Sequence, residues 1–279
     1  MRKAEDTFLA VLSDGVIKLD GGSLFGQVPR VLWEQLLTPD RRNRVKLGLN
    51  CLLVWNDRHC VLIDTGVGSK EPDHLKDRYG LGTSQLAREL RARGVAPAQV
   101  TAVVLTHLHF DHCGGCTRLN RSGVPVPAFP NATYYVQRAA WEEALNPNER
   151  STASYHADDL MPLQKSGHLE LLDGDTEVVP GVQVRVTHAH TQGHQAVLVT
   201  YGGERVLACG DLIPTPFHLR LPYIAAYDRC PEEVLAQKRA LLEEAERNGW
   251  LLFFSHAPEE CLGYVDRRNG ERSFRPVAL

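Results

Sequence analysis

"THLHFDHCGG", residues 106–115, follows the apolar run "VTAVVL" at 100–105. Three histidines and an aspartate crowd into 107–112 at the end of what reads as a buried strand. Titratable side chains at this density are costly to bury unless one partner satisfies them together. In extended backbone, residues 107, 109 and 111 share a face. Asp111 and His112 are adjacent, so both converge only if the chain curls, and Gly114–Gly115 suit a bend. A divalent metal fits such a donor set, provided the rest of the chain supplies further ligands.

Further ligands stand at the ends of other apolar runs. "GVQVRVTHAHTQGH" at 181–194 delivers His188, His190 and His194, "ERVLACGD" ends in Asp211, and "WLLFFSH" ends in His256. Four strands finishing in metal-type ligands predict one rim where they meet. Imidazole suits zinc, iron and nickel, and a shared carboxylate is a normal bridge between two divalent ions. His59, His74 and His168 lack this context and read as ordinary residues.

Strands are predicted at 8–12 and 16–19, and "LGLNCLLVW" and "CVLID" read as a hairpin around "NDRH" at 56–59. A helix is predicted over 83–93, closed by Gly94, with a strand at 132–137 and a helix from near Ala139. Residues 146–168 carry little periodicity and read as a long loop, a length typical of lids and binding segments. Two hairpins fill 177–210, a helix starts at Pro231, a strand covers 250–255, and the tail reads as turn-rich. Strand pairs interspersed with helices predict α/β layering in a single domain over 1–279.

The net charge of −3 gives no electrostatic case for nucleic acid or an anionic membrane. "RRNRVK" at 41–46 reads as a solvated loop, with recognition of an acidic ligand as the alternative. "MRKAEDTFLAVLSDG" has only a five-residue apolar stretch, too short for an export signal, and no run approaches the roughly 18 residues that span a bilayer. A cytoplasmic location is therefore expected. Seven scattered cysteines do not form a disulfide framework, and Cys113-Gly-Gly-Cys116 reads as two small side chains beside the histidines rather than a redox pair.

H-x-H-x-D-H followed by a later His, Asp and His resembles the metallo-β-lactamase superfamily. Asp64 in "LIDTG" resembles its first motif, and "THLHFDH", "THAHTQGH", Gly210–Asp211 and Ser255–His256 resemble the second to fifth, spanning about 45 to 260. The resemblance implies a four-layer αββα sandwich with a dinuclear metal site at the edge of its two sheets. It implies that His107, His109 and His190 hold one ion, and that Asp111, His112 and His256 hold the other, with Asp211 bridging. The ions would be zinc, with iron, manganese or nickel as alternatives. The third motif usually reads T-P-G-H-x-x-G-H; His188–Ala189 replace Pro-Gly here, so His190 is the matching ligand and His188 the alternative. His194 and Asp64 would support the site without ligating.

Two ions about 3.5–4 Å apart with a hydroxide between them imply hydrolysis of an ester-like bond, with Asp111 passing a proton to the leaving group. The sequence most resembles the branch containing N-acyl homoserine lactonases and methyl-parathion-hydrolase-like enzymes, so a small lactone or carboxylic ester is the expected substrate. Phosphotriesters or phosphodiesters are the alternative, and a metal-stabilised binding protein is the alternative outside catalysis. Lactonases of that branch typically carry a Tyr three residues after the bridging Asp, where this chain has Pro214. Expected substrate contacts are Phe25, Phe110, Phe217 and His218, with Leu24 and Trp33 as further apolar candidates; His218 and His156 read equally as loop histidines. A second copy of the chain is the one macromolecular partner expected.

Overall fold

The computed structural model describes residues 7–277. Residues 1–6, on which part of the reading against an export signal rests, lie outside them. One sheet runs, in spatial order, Phe8–Asp20, Arg44–Trp55, Cys60–Ile63, Ala102–Val104, Thr133–Gln137 and Leu169–Leu172. A second runs Glu271–Pro276, Leu262–Arg268, Leu251–Phe253, Glu204–Ala208, Gln195–Tyr201, Val182–Val186 and Thr176–Val179, and Thr117–Leu119 pairs with Pro125–Pro127 in a separate two-stranded sheet.

Side-chain alternation along the strands sorts residues between two cores. Leu52, Val54, Val61 and Ile63 face the second sheet and pack with Val184, Val197 and Leu252. Their neighbours Cys51, Leu53 and Leu62 face outward onto Leu86 and Leu90 of the helix Leu86–Ala92, with Trp141, Leu160 and Leu163. Each buried leucine contributes about 2 kcal/mol by leaving water. On the second sheet, the helix Pro231–Asn248 buries Val234, Leu241, Leu242 and Ala245, one stripe at helical spacing. That helix is the crossover joining Glu204–Ala208 to its parallel neighbour Leu251–Phe253. The layers are those the sequence predicts, a metallo-β-lactamase-type sandwich.

Three elements depart from expectation. The segments 8–12 and 16–19 are one strand, Phe8–Asp20, bulged between Ser13 and Val16. The bulge turns Asp14 inward to accept from the backbone N–H groups of Gly68, Gln85 and Leu86. The loop 146–168 contains a helix, Ala157–Ser166, despite Pro162 within it. Proline cannot donate to the Asp158 carbonyl four residues back, and the Thr117 hydroxyl does so instead at 2.8 Å. The tail is a hairpin, Leu262–Arg268 with Glu271–Pro276, turning on Asn269–Gly270 at φ 54° and 83°, a two-residue Asn-Gly signal that the sequence does carry. Among the described residues no helix is long and apolar enough to cross a membrane.

Candidate metal centre

The strand Ala102–Val104 ends in the opening motif, and one short helical turn, Phe110–Cys113, supplies the curl that brings Asp111 and His112 round. Gly114 and Gly115 contribute close approach rather than the bend itself. A Cβ at either would strike the carbonyl oxygens of Val67 and Thr65, and Thr65 N–H donates to the His112 carbonyl at 2.7 Å. The loop after Cys60–Ile63 is thereby pressed against the ligand turn. Its Asp64 takes a left-handed φ of 56°, unusual for a residue with a side chain. From there its carboxylate accepts from Thr106 N–H at 2.8 Å and from His112 Nδ1 at 2.9 Å.

The donor atoms of His107, His109 and His190 lie within 4.8 Å of one another, as do those of His107, His112 and Asp211, and of Asp111, His112 and His256. For His107, His112, His190 and His256, a hydrogen bond on the far side of the ring decides which nitrogen points inward. Thr106 Oγ1 donates to Asp64 and therefore accepts from His107 Nδ1 at 3.1 Å. His112 Nδ1 gives its proton to Asp64, His190 Nδ1 to Asp228 Oδ1 at 2.6 Å, and His256 Nδ1 to the Gly48 carbonyl at 2.9 Å. The Nε2 atoms of His112 and His256 then face each other at 3.0 Å, and His190 Nε2 faces His109 Nδ1 at 3.2 Å. Ring nitrogens gathered this closely, beside a carboxylate, suit a shared divalent cation.

Asp211 divides its two oxygens between the groups. Oδ1 lies 3.2 Å from His112 Nε2 and 3.3 Å from His256 Nε2, while Oδ2 lies 3.5 Å from His190 Nε2. His107 Nε2 and Asp211 Oδ1 are buried and have no hydrogen-bond partner among the described residues. Burial and then the neighbouring imidazoles hold His107 and His109 well below the usual histidine range, neutral and ready to ligate. Against the same burial, the Asp211 carboxylate pulls His112 and His256 upward. All seven expected ligands thus converge, and their donor chemistry fits divalent metal.

His194 is outside this set because both its nitrogens are engaged: Nδ1 meets Thr187 Oγ1 at 2.6 Å and Nε2 accepts from Asp211 N–H at 3.0 Å. Gly210 allows that contact, since its φ is +53° and a Cβ would collide with His194 and Thr106. His188, at φ 46°, is exposed, and its Nδ1 accepts from Gly193 N–H at 3.1 Å. Its turn aims it away while bringing His190 in.

The profile of the Metallo-beta-lactamase superfamily matches residues 45–256, the interval that holds every one of these groups. The chain belongs to the metallo-beta-lactamase superfamily. Within it, the chain is 30% identical over 244 residues to N-acyl homoserine lactonase AiiA of Bacillus thuringiensis subsp. kurstaki, covering 80% of this chain and 86% of that one. It is 28% identical over 249 residues to a probable metallo-hydrolase of Mycobacterium tuberculosis, covering 78% and 74%. Among solved structures, a probable metal-dependent hydrolase from Staphylococcus aureus superposes with a TM-score of 0.88 at 27% identity, over 99% of this chain and 100% of that one. AidC, a dizinc quorum-quenching lactonase, superposes at 0.77 with 20% identity over 99% and 96%, a likeness of fold.

A cavity of about 430 Å³ opens onto this superfamily site, with His109, Asp111 and Asp211 in its lining. Of the expected substrate contacts, Phe110 lines it and three do not. Phe25 is fully buried, stacked on Trp33 at 5.6 Å and on His218 at 5.3 Å, in an apolar cluster that also takes Leu24. His218 bonds Thr215 Oγ1 and the Leu24 carbonyl, and burial pushes it down to about 3, so it is a neutral packing residue. Phe217 lines a separate groove with Leu36 and Leu37. Phe25 and His218 thus pack into a core, and Phe217 faces the groove rather than the cavity.

His156 pairs with Glu71 at 3.1 Å and stacks on Phe110 at 5.2 Å. With Asp159 these residues form another carboxylate–histidine group. Lys70 already supplies its cation, with Nζ 2.9 Å from Asp159 Oδ1 and bonded to the Gly114 and Thr117 carbonyls. Cys113 and Cys116 are buried free thiols, and burial raises both. Sequence reasoning misses Asp228, which fixes His190, and Tyr227, which lines the cavity with its ring 5.8 Å from that of His190. The Tyr227 hydroxyl is buried and, among the described residues, has no hydrogen-bond partner. Neither residue carries a local signal distinguishing it from any other Tyr or Asp before a helix.

Proposed function

We propose that the protein is a dinuclear metallohydrolase that opens a lactone or carboxylic ester, with two zinc ions as its natural complement. The observation that carries this reading is the division of Asp211's oxygens between two donor groups at the floor of a cavity. The 30% identity to an N-acyl homoserine lactonase supports the choice of bond. His107, His109 and His190 would hold one ion, and Asp111, His112 and His256 the other, with Asp211 shared. When bound, such ions supply Lewis acidity and ionise a water near neutral pH.

The chain's own residues do the rest. Asp64, Thr106, Asp228 and the Gly48 carbonyl hold the ligand rings in their tautomers. The unpartnered Tyr227 hydroxyl would donate to the carbonyl oxygen of the scissile bond, a task for which Pro214 has no donor. Burial, followed by the charges of Asp211, Asp228 and Asp111, raises this phenol well above its ordinary range, so it stays protonated. As water adds to the acyl carbon and the acyl–oxygen bond breaks, the Asp111 carboxylate would take the proton and return it to the leaving oxygen.

The test is a hydrolysis panel on protein of measured metal content, setting acyl lactones and aryl carboxylic esters against phosphotriesters and phosphodiesters. Faster turnover of the carbonyl compounds is expected. A phosphoester preference would overturn the choice of bond, and Pro214 is the feature that makes this the second reading. Two bound metals with no turnover would leave a binding protein.

A further inference from the structure

The cavity wall above the ligands is cationic in a chain whose net charge is −3: Lys18, Arg42, Arg44, Arg78 and Arg150 all line it. Their partners sort them. Arg44 is scaffold, with Nε and Nη2 on Asp40 at 3.0 and 2.8 Å and Nη1 on the Asp77 and Arg78 carbonyls. Arg42 pairs with Asp77 at 3.1 Å, and Lys18 lies 3.7 Å from an Asp40 already engaged by Arg44.

Arg78 and Arg150 differ, because among the described residues neither has a carboxylate partner. Arg78 meets the neighbouring Tyr79 side chain. Arg150 directs Nη2 at the Ala226 carbonyl, 2.7 Å away, and the Asp228 carbonyl, 3.0 Å away. Those neutral acceptors hold the guanidinium still without cancelling its charge, and they belong to the same turn whose Asp228 orients His190. The one carboxylate of the wall away from the ligands, Asp20, is turned to structure, accepting from Ser23 N–H and Asn43 Nδ2.

Two unneutralised guanidinium forks beside a reaction site match carboxylate and phosphate geometry. A neutral acyl chain would desolvate them without return. We propose that the substrate carries, besides its scissile ester, an oxyanion that is bound by Arg78 and Arg150. The proposal rests on the hydrolase reading for its scissile bond, while the anion subsite can be tested without turnover.

The experiment is calorimetric titration of the metal-loaded protein with adipate, 6-phosphonohexanoate and hexanoate. Each offers one carboxylate to the metal end of the cavity, and only the first two carry a second anion. Adipate or the phosphonate should bind about tenfold more tightly than hexanoate, and the tighter of the two identifies the oxyanion. That advantage should shrink with added salt, disappear in Arg78→Gln/Arg150→Gln at unchanged metal content, and return in part with Lys at both positions. Equal affinity of all three ligands in the unmodified protein would overturn the proposal, as would an advantage that survives the double substitution. An anion preference without hydrolysis of any ester would remove the hydrolase reading and leave the subsite standing.

Discussion

The floor of the cavity and its wall are built on opposite principles. The floor hangs from strand ends, and the inward-facing histidines His107, His112, His190 and His256 each have the other ring nitrogen committed to Thr106, Asp64, Asp228 or the Gly48 carbonyl. The wall comes from loops and the ends of short elements: among the described residues Arg78 and Arg150 line it without a carboxylate partner, and the Tyr227 hydroxyl has no hydrogen-bond partner. A metal site must be fixed before its ion arrives, since loose ligands would lose affinity in ordering. A substrate-binding wall must instead keep donors available for a molecule that comes and goes. The difference teaches that satisfied residues hold the centre and unsatisfied ones face the substrate.

The sharpest way to break this division is Asp211→Ala. Metal content and activity should fall together below detection; full metal content by elemental analysis would show that Asp211 is not shared. The next contrast lies within one turn. His190→Ala should strip metal and activity, whereas the exposed His188→Ala should keep both, and the reverse result would exchange their roles. On the wall, Tyr227→Phe should lower kcat about 100-fold with bound metal unchanged. Loss of metal in that variant would move Tyr227 to the floor. The smallest of these effects is expected behind the floor, where Asp228→Ala leaves His190 Nδ1 without its carboxylate. Metal affinity should drop by about 10- to 100-fold in a chelator competition, and an unchanged affinity would mean that the ring is held by packing alone.

The strands Ala102–Val104 and Leu251–Phe253 are legible because burial on both faces makes them apolar throughout. The helix Ala157–Ser166 is not, since its proline is tolerated only through Thr117, distant in sequence. Phe25 and His218 illustrate the same gap at the site. Their residue types suit a pocket, and only the packing of Trp33 and Tyr223 around Phe25 places them in a core. The basic run at 41–46 reads as a solvated loop, with recognition of an acidic ligand as the alternative, and only the fold sets Arg42 and Arg44 beside Arg150 in the cavity lining.

What the sequence by itself determined is the set of metal-type donors, their order and the layered fold. Coordination admits few residue types, and sheet packing imposes a period that a linear chain displays. What only the tertiary structure decided is which histidine turns inward, which aromatic residues meet the cavity, and that Tyr227, Arg78 and Arg150 share it. Those outcomes depend on contacts between segments far apart in the chain, where a tyrosine or arginine satisfied by a neighbour and one left open to a ligand have the same letter.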